Sequence, residues 1–179
     1  MNHLKRLFIE ALYLILKIFG EAFSDRKFSQ FLLINQVFVQ KFMRINYHVS
    51  WPVHPSSKII DPQKIDRGTR CPGLSIGCYI DGRNGIVIGE NTWIGLYVSI
   101  ISMNHDYHDY NQYIIAPPII IGKNVWLGSH CIILPNVKLG NHVVVAAGAV
   151  VTKSFEENNI LLAGVPAKIV KRLSPYGKT

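Results

Sequence analysis

The 179-residue sequence has few cysteines, few charged residues and no long apolar run. Its three cysteines, Cys71, Cys78 and Cys131, form no CxxC pair and leave one thiol over in any pairing, which indicates the reducing cytoplasm. No stretch offers the ~20 apolar residues that a membrane-crossing helix needs. A glycine-rich phosphate loop is also missing. These absences argue against a disulfide framework, a membrane span and a nucleotide-binding front domain.

Acidic residues are also scarce, and the resulting formal charge of +8 is unevenly placed. Residues 51–152 carry 7 basic and 6 acidic residues, so the excess of positive charge lies towards the two ends of the sequence. A nucleic-acid-binding face would need basic residues interleaved with aromatic ones, and the middle has no such stripe. Charge at the ends is better explained by a phosphorylated small molecule or an anionic membrane surface.

The sequence does contain a six-residue repeat. From Ile121 to Glu156 it divides into six hexads that each open with an aliphatic residue, and three have glycine second. The opening residues are Ile121, Leu127, Ile133, Leu139, Val145 and Val151. Such a period suits a chain winding round a triangular prism, with about 18 residues per coil. We therefore predict a mainly β protein, a parallel β-helix with inward aliphatic residues and with glycines at turns of positive φ.

The first fifty residues have a different pattern. An apolar stripe from Leu4 to Phe19 has helical spacing, with Lys5, Arg6 and Lys17 outside it, and a second apolar helix is expected over about residues 28–45. Residues 1–50 are therefore predicted to be helical. Two interpretations of residues 1–45 stay open, namely packing against the coils or a neighbouring subunit, and peripheral contact with the inner face of a membrane.

The remaining boundaries follow from where the repeat is interrupted. Residues 51–156 are assigned to the β-helix, and residues 157–179 to a closing segment with a short C-terminal helix. Ile88 and Ile121 are 33 residues apart, which is not a multiple of six. Residues 102–118 should therefore leave the prism as a loop, and loops on a rigid scaffold commonly carry function.

Three features together resemble the hexapeptide-repeat acyltransferases, in particular the O-acetyltransferases of small molecules and polysaccharides. They are the hexads, the Asn104-His105 pair that opens the loop, and the closing segment from Ala163 to Leu173. The resemblance covers about residues 51–173. It implies a left-handed β-helix, a homotrimer, and transfer of an acetyl group from acetyl-CoA to a saccharide hydroxyl in cytoplasmic synthesis of a surface polysaccharide, with no metal.

The resemblance also assigns site residues. It makes His105 the general base, a role that suits imidazole because it titrates near neutral pH. Its second ring nitrogen needs an acceptor, for which Asp106, a backbone carbonyl and a residue of a distant coil remain alternatives. The cofactor would lie in a groove between subunits, and the matching positions are Ser129, Ala147, Thr152, Lys153 and Lys171.

The acceptor site is the least determined part. Asn104 and His108 in the loop, and Tyr79, Asp81 and Asn84 in the preceding coil, are the polar candidates. Asp81 is preferred, although an aspartate before glycine also suits a turn. An antibiotic or other xenobiotic is an alternative acceptor. A zinc-dependent carbonic anhydrase of similar fold, a loop metal site and a non-catalytic β-helix are further alternatives.

Overall fold

The structure is a computed structural model that describes residues 3–177, and side chains from residue 6 onward. The ends of the predicted first and last segments, and the side chains of Leu4 and Lys5, lie outside the described residues. Helix α1 spans His3–Lys17, a 3-10 turn spans Glu21–Ser24, and helix α2 spans Gln30–Val37 and continues as a π-helical turn, Phe38–Phe42.

A succession of short strands follows the helices. They are β1 (Lys58–Ile60), β2 (Ile65–Asp66), β3 (Tyr79–Asp81), β4 (Ile86–Ile88), β5 (Trp93–Ile94), β6 (Ser99–Ile101), β7 (Asn104–His105), β8 (Tyr113–Ile114), β9 (Ile119–Ile121), β10 (Trp126–Leu127), β11 (Ile132–Ile133), β12 (Lys138–Leu139), β13 (Val143–Val145), β14 (Val150–Val151), β15 (Ile160–Ala163) and β16 (Lys168–Arg172). A short 3-10 turn, Pro62–Lys64, separates β1 from β2.

The strands stack into three parallel sheets that form the faces of a prism. Face A contains β1, β3, β6, β11 and β14, face B contains β2, β4, β9 and β12, and face C contains β5, β10, β13 and β15, with β16 added antiparallel at the end. From β4 to β14, apart from the separate β7–β8 pair, the strands follow one another around faces B, C and A, and Trp126 pairs with Val144 one coil of 18 residues later. The predicted parallel β-helix is confirmed.

The hexad pattern fills the inside of the prism. All six opening residues are buried, and so are the residues at the fifth position of the first five hexads, including Cys131, whereas Phe155 of the sixth is partly buried. Ile88 pairs with Ile121 across the predicted insertion, so the coils continue in register on either side of it. The interior is therefore packed with aliphatic side chains, which places any ligand site on the outside.

The hexad glycines are needed for close stacking of the coils. A Cβ atom on Gly122 would lie 2.4 Å from the carbonyl oxygen of Gly140, and one on Gly128 would lie 2.7 Å from the nitrogen of Ala147. Positive φ occurs instead at the fourth hexad position, at Asn124, His130, Asn136, His142 and Gly148. The prediction of positive φ at the hexad glycines was therefore wrong, because contact between coils rather than the turn excludes a side chain there.

The N-terminal helices pack on one another and on the first coil. Leu16 of α1 and Leu33 of α2 are buried together. The fully buried Gln40 donates a hydrogen bond to the carbonyl of Trp51 (3.1 Å) and accepts one from the nitrogen of Val53 (2.8 Å). Because Gln40 joins the helices to the coils, the division of the chain at residue 50 stays a prediction. Within residues 3–177, no helix combines the length and apolarity needed to span a bilayer.

The closing segment differs from the prediction. Residues expected to form a short C-terminal helix form β16, which pairs antiparallel with β15. Ala167, between the two strands, is buried and donates its N–H to the carbonyl of Val150 (2.8 Å). The hairpin satisfies backbone groups at the last coil, where a helix would leave the edge of face C unpaired.

Candidate active site

The inserted loop leaves the prism where face A meets face B, which we call corner AB. Its base is fastened to the coil below by Asn84, whose N–H donates to the Ser102 hydroxyl (2.8 Å). The Asn84 amide also donates to the carbonyls of Ser102 (2.9 Å) and Ile114 (3.0 Å). One side chain therefore holds both arms of the loop.

Beyond this base, the loop is an antiparallel hairpin rather than an irregular excursion. Asn104 is opposite Ile114 and His105 is opposite Tyr113 in the β7–β8 pair. Near the tip, the Asp106 carboxylate accepts the N–H of His108 (2.7 Å). His105 is thus carried on a short, braced ribbon that projects from a rigid prism.

The His105 ring is held by a backbone group. Its Nδ1 atom lies 2.5 Å from the carbonyl oxygen of Tyr110. A carbonyl can only accept a hydrogen bond, so Nδ1 must carry the proton, and Nε2 of the neutral ring is then a free acceptor. Of the three alternatives that the sequence left open, the structure places a backbone carbonyl next to this nitrogen.

Asp81 lies at the same corner, one coil below the hairpin, but it is fully buried. Its carboxylate accepts hydrogen bonds from Arg83 Nε (3.0 and 3.1 Å) and Nη2 (2.7 Å), and also from the Arg83 N–H (3.1 Å). This position does not suit the acceptor-contacting role preferred from the sequence. The observed Asp81 is a turn aspartate that holds an arginine.

The arginine in turn contacts the hairpin. Arg83 Cζ lies 4.7 Å from the centre of the Tyr113 ring, and that ring lies 4.6 Å from the His105 ring at an interplanar angle of 37°. Arg83 and Tyr113 were not among the residues selected from the sequence. The alternation of the hairpin could have indicated Tyr113, but nothing in the sequence pairs Arg83 with it.

The corner between faces C and A, corner CA, presents small residues. Ser129 and Ala147 follow the paired strands β10 and β13, and the N–H of Gly148 donates to the carbonyl of Ser129 (2.9 Å). Ala147 and Gly148 are exposed, and a Cβ atom on Gly148 would meet nothing within 4 Å. The two residues are therefore neighbours on adjacent coils, beside open space.

The other residues proposed for the cofactor lie elsewhere. Thr152 and Lys153 are exposed at corner AB, after β14, and Lys153 Nζ lies 5.7 Å from the centre of the Phe155 ring. Lys171 is exposed in β16. Within one chain, the five cofactor-binding candidates therefore lie at two corners and at the end of face C.

Three acceptor candidates remain. Asn104 is partly buried next to His105, and His108 is exposed at the hairpin tip. Tyr79 is partly buried in β3, where it pairs with Ser99. The His105 ring borders an open cleft, which is lined by Asn104, His105, Asp106, Tyr107 and Tyr110. Only the two loop candidates are therefore next to the proposed base.

His130 and His142 occupy turn positions with positive φ. The His130 ring stacks on Tyr97 with centroids 4.8 Å apart, and His142 Nδ1 lies 2.9 Å from Asn159 Oδ1. Among residues 3–177, no three His, Cys, Asp or Glu side chains converge as a metal site would require.

Comparison with known proteins places the repeat in a family. Residues 118–153 match the family model "Bacterial transferase hexapeptide (six repeats)". A putative acetyltransferase of Staphylococcus aureus strain COL, SACOL2570, is 35% identical over 183 residues, which cover 88% of this chain and 90% of that protein.

Two further similarities extend the comparison. WbbJ of Escherichia coli K12, a putative lipopolysaccharide biosynthesis O-acetyl transferase, is 36% identical over 106 residues, 52% of this chain and 54% of WbbJ. The chain thus spans about half the length of such curated relatives. A solved structure of a galactoside acetyltransferase in complex with coenzyme A superimposes with a TM-score of 0.57 at 22% identity, over 93% of this chain and 82% of that one.

Proposed function

Since this chain belongs to the bacterial hexapeptide transferase family, we propose that it transfers an acetyl group from acetyl-CoA to a saccharide hydroxyl, with His105 as the general base. The observation that carries the proposal is the hydrogen bond between His105 Nδ1 and the Tyr110 carbonyl. In the neutral ring this bond makes Nε2, on a projecting hairpin, the nitrogen that can accept a proton, which a general base needs.

The proposed reaction is a direct transfer. Nε2 of His105 takes the proton of the acceptor hydroxyl while the hydroxyl oxygen attacks the thioester carbonyl, because a neutral hydroxyl is a poor nucleophile. The tetrahedral intermediate then collapses, the bond between carbon and sulfur breaks, and the imidazolium returns the proton to the departing CoA thiolate. The ester forms, free CoA is released and His105 returns to its starting state.

Corner CA is the proposed position of the acetyl-CoA arm. Ser129 and Ala147 lie on adjacent coils, which stack about 4.8 Å apart, so an extended pantetheine chain can run along them. The exposed Ala147 and Gly148 let the arm approach the backbone. In the complex named above, the galactoside acetyltransferase binds coenzyme A, which supports the choice of co-substrate.

The positions of these residues favour a trimer. His105 lies at corner AB, whereas Ser129 and Ala147 lie at corner CA, so one chain provides one wall of the groove at each of two corners. When three prisms stand side by side, corner AB of one can face corner CA of the next. The proposed site then combines His105 of one subunit with Ala147 of its neighbour.

A complementation experiment tests the shared site. His105→Ala removes the base, and Ala147→Trp fills the groove, so each variant alone should be inactive. In trimers assembled at random from equal amounts of both, about a quarter of the interfaces combine two intact halves, and the same share of activity should return. Mixed trimers without activity would contradict a site between subunits.

The proposed acceptor and the proposed cellular location are inferred from the relatives. A relative in lipopolysaccharide biosynthesis and a galactoside acetyltransferase support a saccharide acceptor in surface polysaccharide synthesis. Such synthesis fits a cytoplasmic enzyme at the inner face of the membrane. The three cysteines are all buried free thiols, which agrees with a reducing compartment.

The surface of α1 supports peripheral membrane contact. At 100° per residue, Leu7 and Leu14 fall on one side of α1, away from the buried Leu16, and Ile18 directly follows the last residue of the helix. Phe8 borders this side, and Phe8, Leu14 and Ile18 are 70%, 71% and 80% exposed. An apolar helix face of this kind, with basic residues such as Arg6 and Lys17 beside it, suits the boundary between headgroups and acyl chains. Contact with a neighbouring subunit is the competing arrangement.

Release of CoA tests the catalytic proposal. Free thiol should appear when the protein is mixed with acetyl-CoA and a suitable acceptor, in a panel of simple sugars, lipid-linked oligosaccharides and antibiotics. Activity only on antibiotics would replace the saccharide acceptor with a xenobiotic one. Protein that binds acetyl-CoA but releases no thiol with any acceptor would contradict the transferase proposal and favour a non-catalytic role.

A further inference from the structure

The hairpin that carries His105 projects from the prism and is fastened to the coil below at its base by Asn84. Isolated two-stranded hairpins are marginally stable in water, and the ring is exposed to solvent. The hydrogen bond to Tyr110 fixes one ring nitrogen but comes from the same hairpin. Besides Asn84 at the base, a contact between the coil below and the hairpin near the ring would fix the ring relative to the prism. Asp81 and Arg83, which belong to the rigid coil below, are placed to do this.

Arg83 is poorly suited to bind an anionic acceptor. Its side chain is 26% exposed, and Nε and Nη2 are both engaged with the fully buried Asp81 carboxylate. The hydrogen bonds to Asp81 raise the pKa of the Arg83 guanidinium, so it remains charged throughout the accessible pH range. Because the two charges offset one another, the guanidinium is a fixed planar group rather than a free cation.

The Arg83 guanidinium also lies beside an aromatic ring of the hairpin. Its Cζ atom is 4.7 Å from the centre of the Tyr113 ring, a distance at which a guanidinium and an aromatic ring attract one another. Tyr113 is opposite His105 in the hairpin, and the two rings are 4.6 Å apart. A continuous line of contacts therefore runs from the buried Asp81 through Arg83 and Tyr113 to His105.

We propose that Arg83 and Tyr113 are positioning residues for His105, with Asp81 fixing Arg83, Arg83 fixing the Tyr113 ring, and that ring fixing the imidazole. The inference rests on the proposed function, in which His105 is the base. These contacts act on catalysis by holding the imidazole in place, because a displacement of a reacting group by about 1 Å can lower a rate by as much as 100-fold. The acceptor is then bound by other groups.

Kinetics of three variants test the positioning role. Arg83→Met and Tyr113→Ala should lower kcat by about 10- to 100-fold while the KM for acetyl-CoA stays within about twofold, because the cofactor corner is untouched. Tyr113→Phe keeps the ring and should lose no more than about threefold. Arg70→Met is the matched control, because Arg70 stacks on Trp93 (3.3 Å) away from the hairpin. Unchanged kcat in Arg83→Met and Tyr113→Ala would overturn the proposal.

A second variant separates positioning from folding. Arg83→Met leaves the Asp81 carboxylate buried without its partner, which is destabilising by itself. In Asp81→Asn/Arg83→Met that charge is removed, so thermal unfolding should return towards the parent value while kcat stays low. If kcat recovers together with stability, Arg83 only neutralises Asp81 and the positioning role is wrong.

The third measurement does not depend on acetyl transfer. Nitrogen-15 NMR of the imidazole rings, with His105→Gln identifying the His105 signals, should find the Nδ1-protonated tautomer in the parent protein. In Tyr113→Ala the ring should exchange between tautomers. An unchanged His105 spectrum would overturn the inference. A changed spectrum in a protein without transferase activity would support it and refute the proposed function.

Discussion

Replacement of His105 gives the sharpest test of the proposed chemistry. His105→Ala removes the one ring nitrogen left free by the bond to Tyr110. A positioned base contributes typically ~100- to 10,000-fold, so kcat should fall by at least ~100-fold, or about 2.7 kcal/mol of transition-state stabilisation. The hairpin is exposed, so the fold should tolerate the change. The affinity for acetyl-CoA should stay within a few-fold, because the proposed contacts with the cofactor arm are made by Ser129 and Ala147 and not by the imidazole.

His108→Ala is the matched control for this variant. His108 lies three residues later on the same hairpin, is exposed, and uses its backbone N–H rather than its ring to contact Asp106. Thiol release at saturating acetyl-CoA gives kcat, and titration calorimetry gives the affinity for acetyl-CoA. If both replacements cost the same, or if His105→Ala mainly weakens acetyl-CoA binding, His105 is not the base.

Three further predictions concern the scaffold and its surfaces. Gly122→Ala forces a Cβ atom into the backbone of the next coil and should cost about 3 kcal/mol or more in urea unfolding. Gly148→Ala meets open space and should cost only about 1–2 kcal/mol for its positive φ, so equal losses would contradict the stacking argument. Burial raises the pKa of Cys131 to about 12, so at pH 8 the native protein should react with Ellman's reagent at this thiol only after unfolding, and rapid reaction of the native thiol would contradict its burial. Phe8→Ser together with Ile18→Ser should weaken binding to vesicles that contain anionic lipid without changing the oligomeric mass from light scattering, whereas loss of the trimer would identify the face as a subunit contact.

The repeat made the scaffold predictable from the sequence. The aliphatic residue that opens each hexad is buried in every coil, so a local pattern was enough to place Leu127 and Ile133 inside and to detect an insertion before Ile121. The role of the glycines was not predictable in the same way. Whether Gly122 serves a turn or a close approach depends on Gly140, 18 residues away, and the hexad pattern is the same in both cases.

The site was predictable only where a motif marks it. Asn104-His105 indicated the base, but the acceptor for its Nδ1 is a backbone carbonyl, and every residue of the loop offers one. Asp81 was chosen as a polar residue, although its burial follows from Arg83 folding back over it. The sequence also did not reveal that one side of the apolar helix α1 faces solvent, because periodicity identifies apolar positions but not their partners.

The filled prism explains why the proposed site depends on assembly. Aliphatic side chains occupy the interior of the coils, so His105, Ser129 and Ala147 are displayed outside the prism, along its corners. A flat corner with small residues, such as that around Ala147, can hold one side of an extended ligand but cannot exclude water from it. In the proposed trimer, the neighbouring hairpin supplies both the missing wall and the base. Changes at the subunit contact should therefore abolish activity in chains whose coils remain fully folded, since coil stability comes from contacts within each prism.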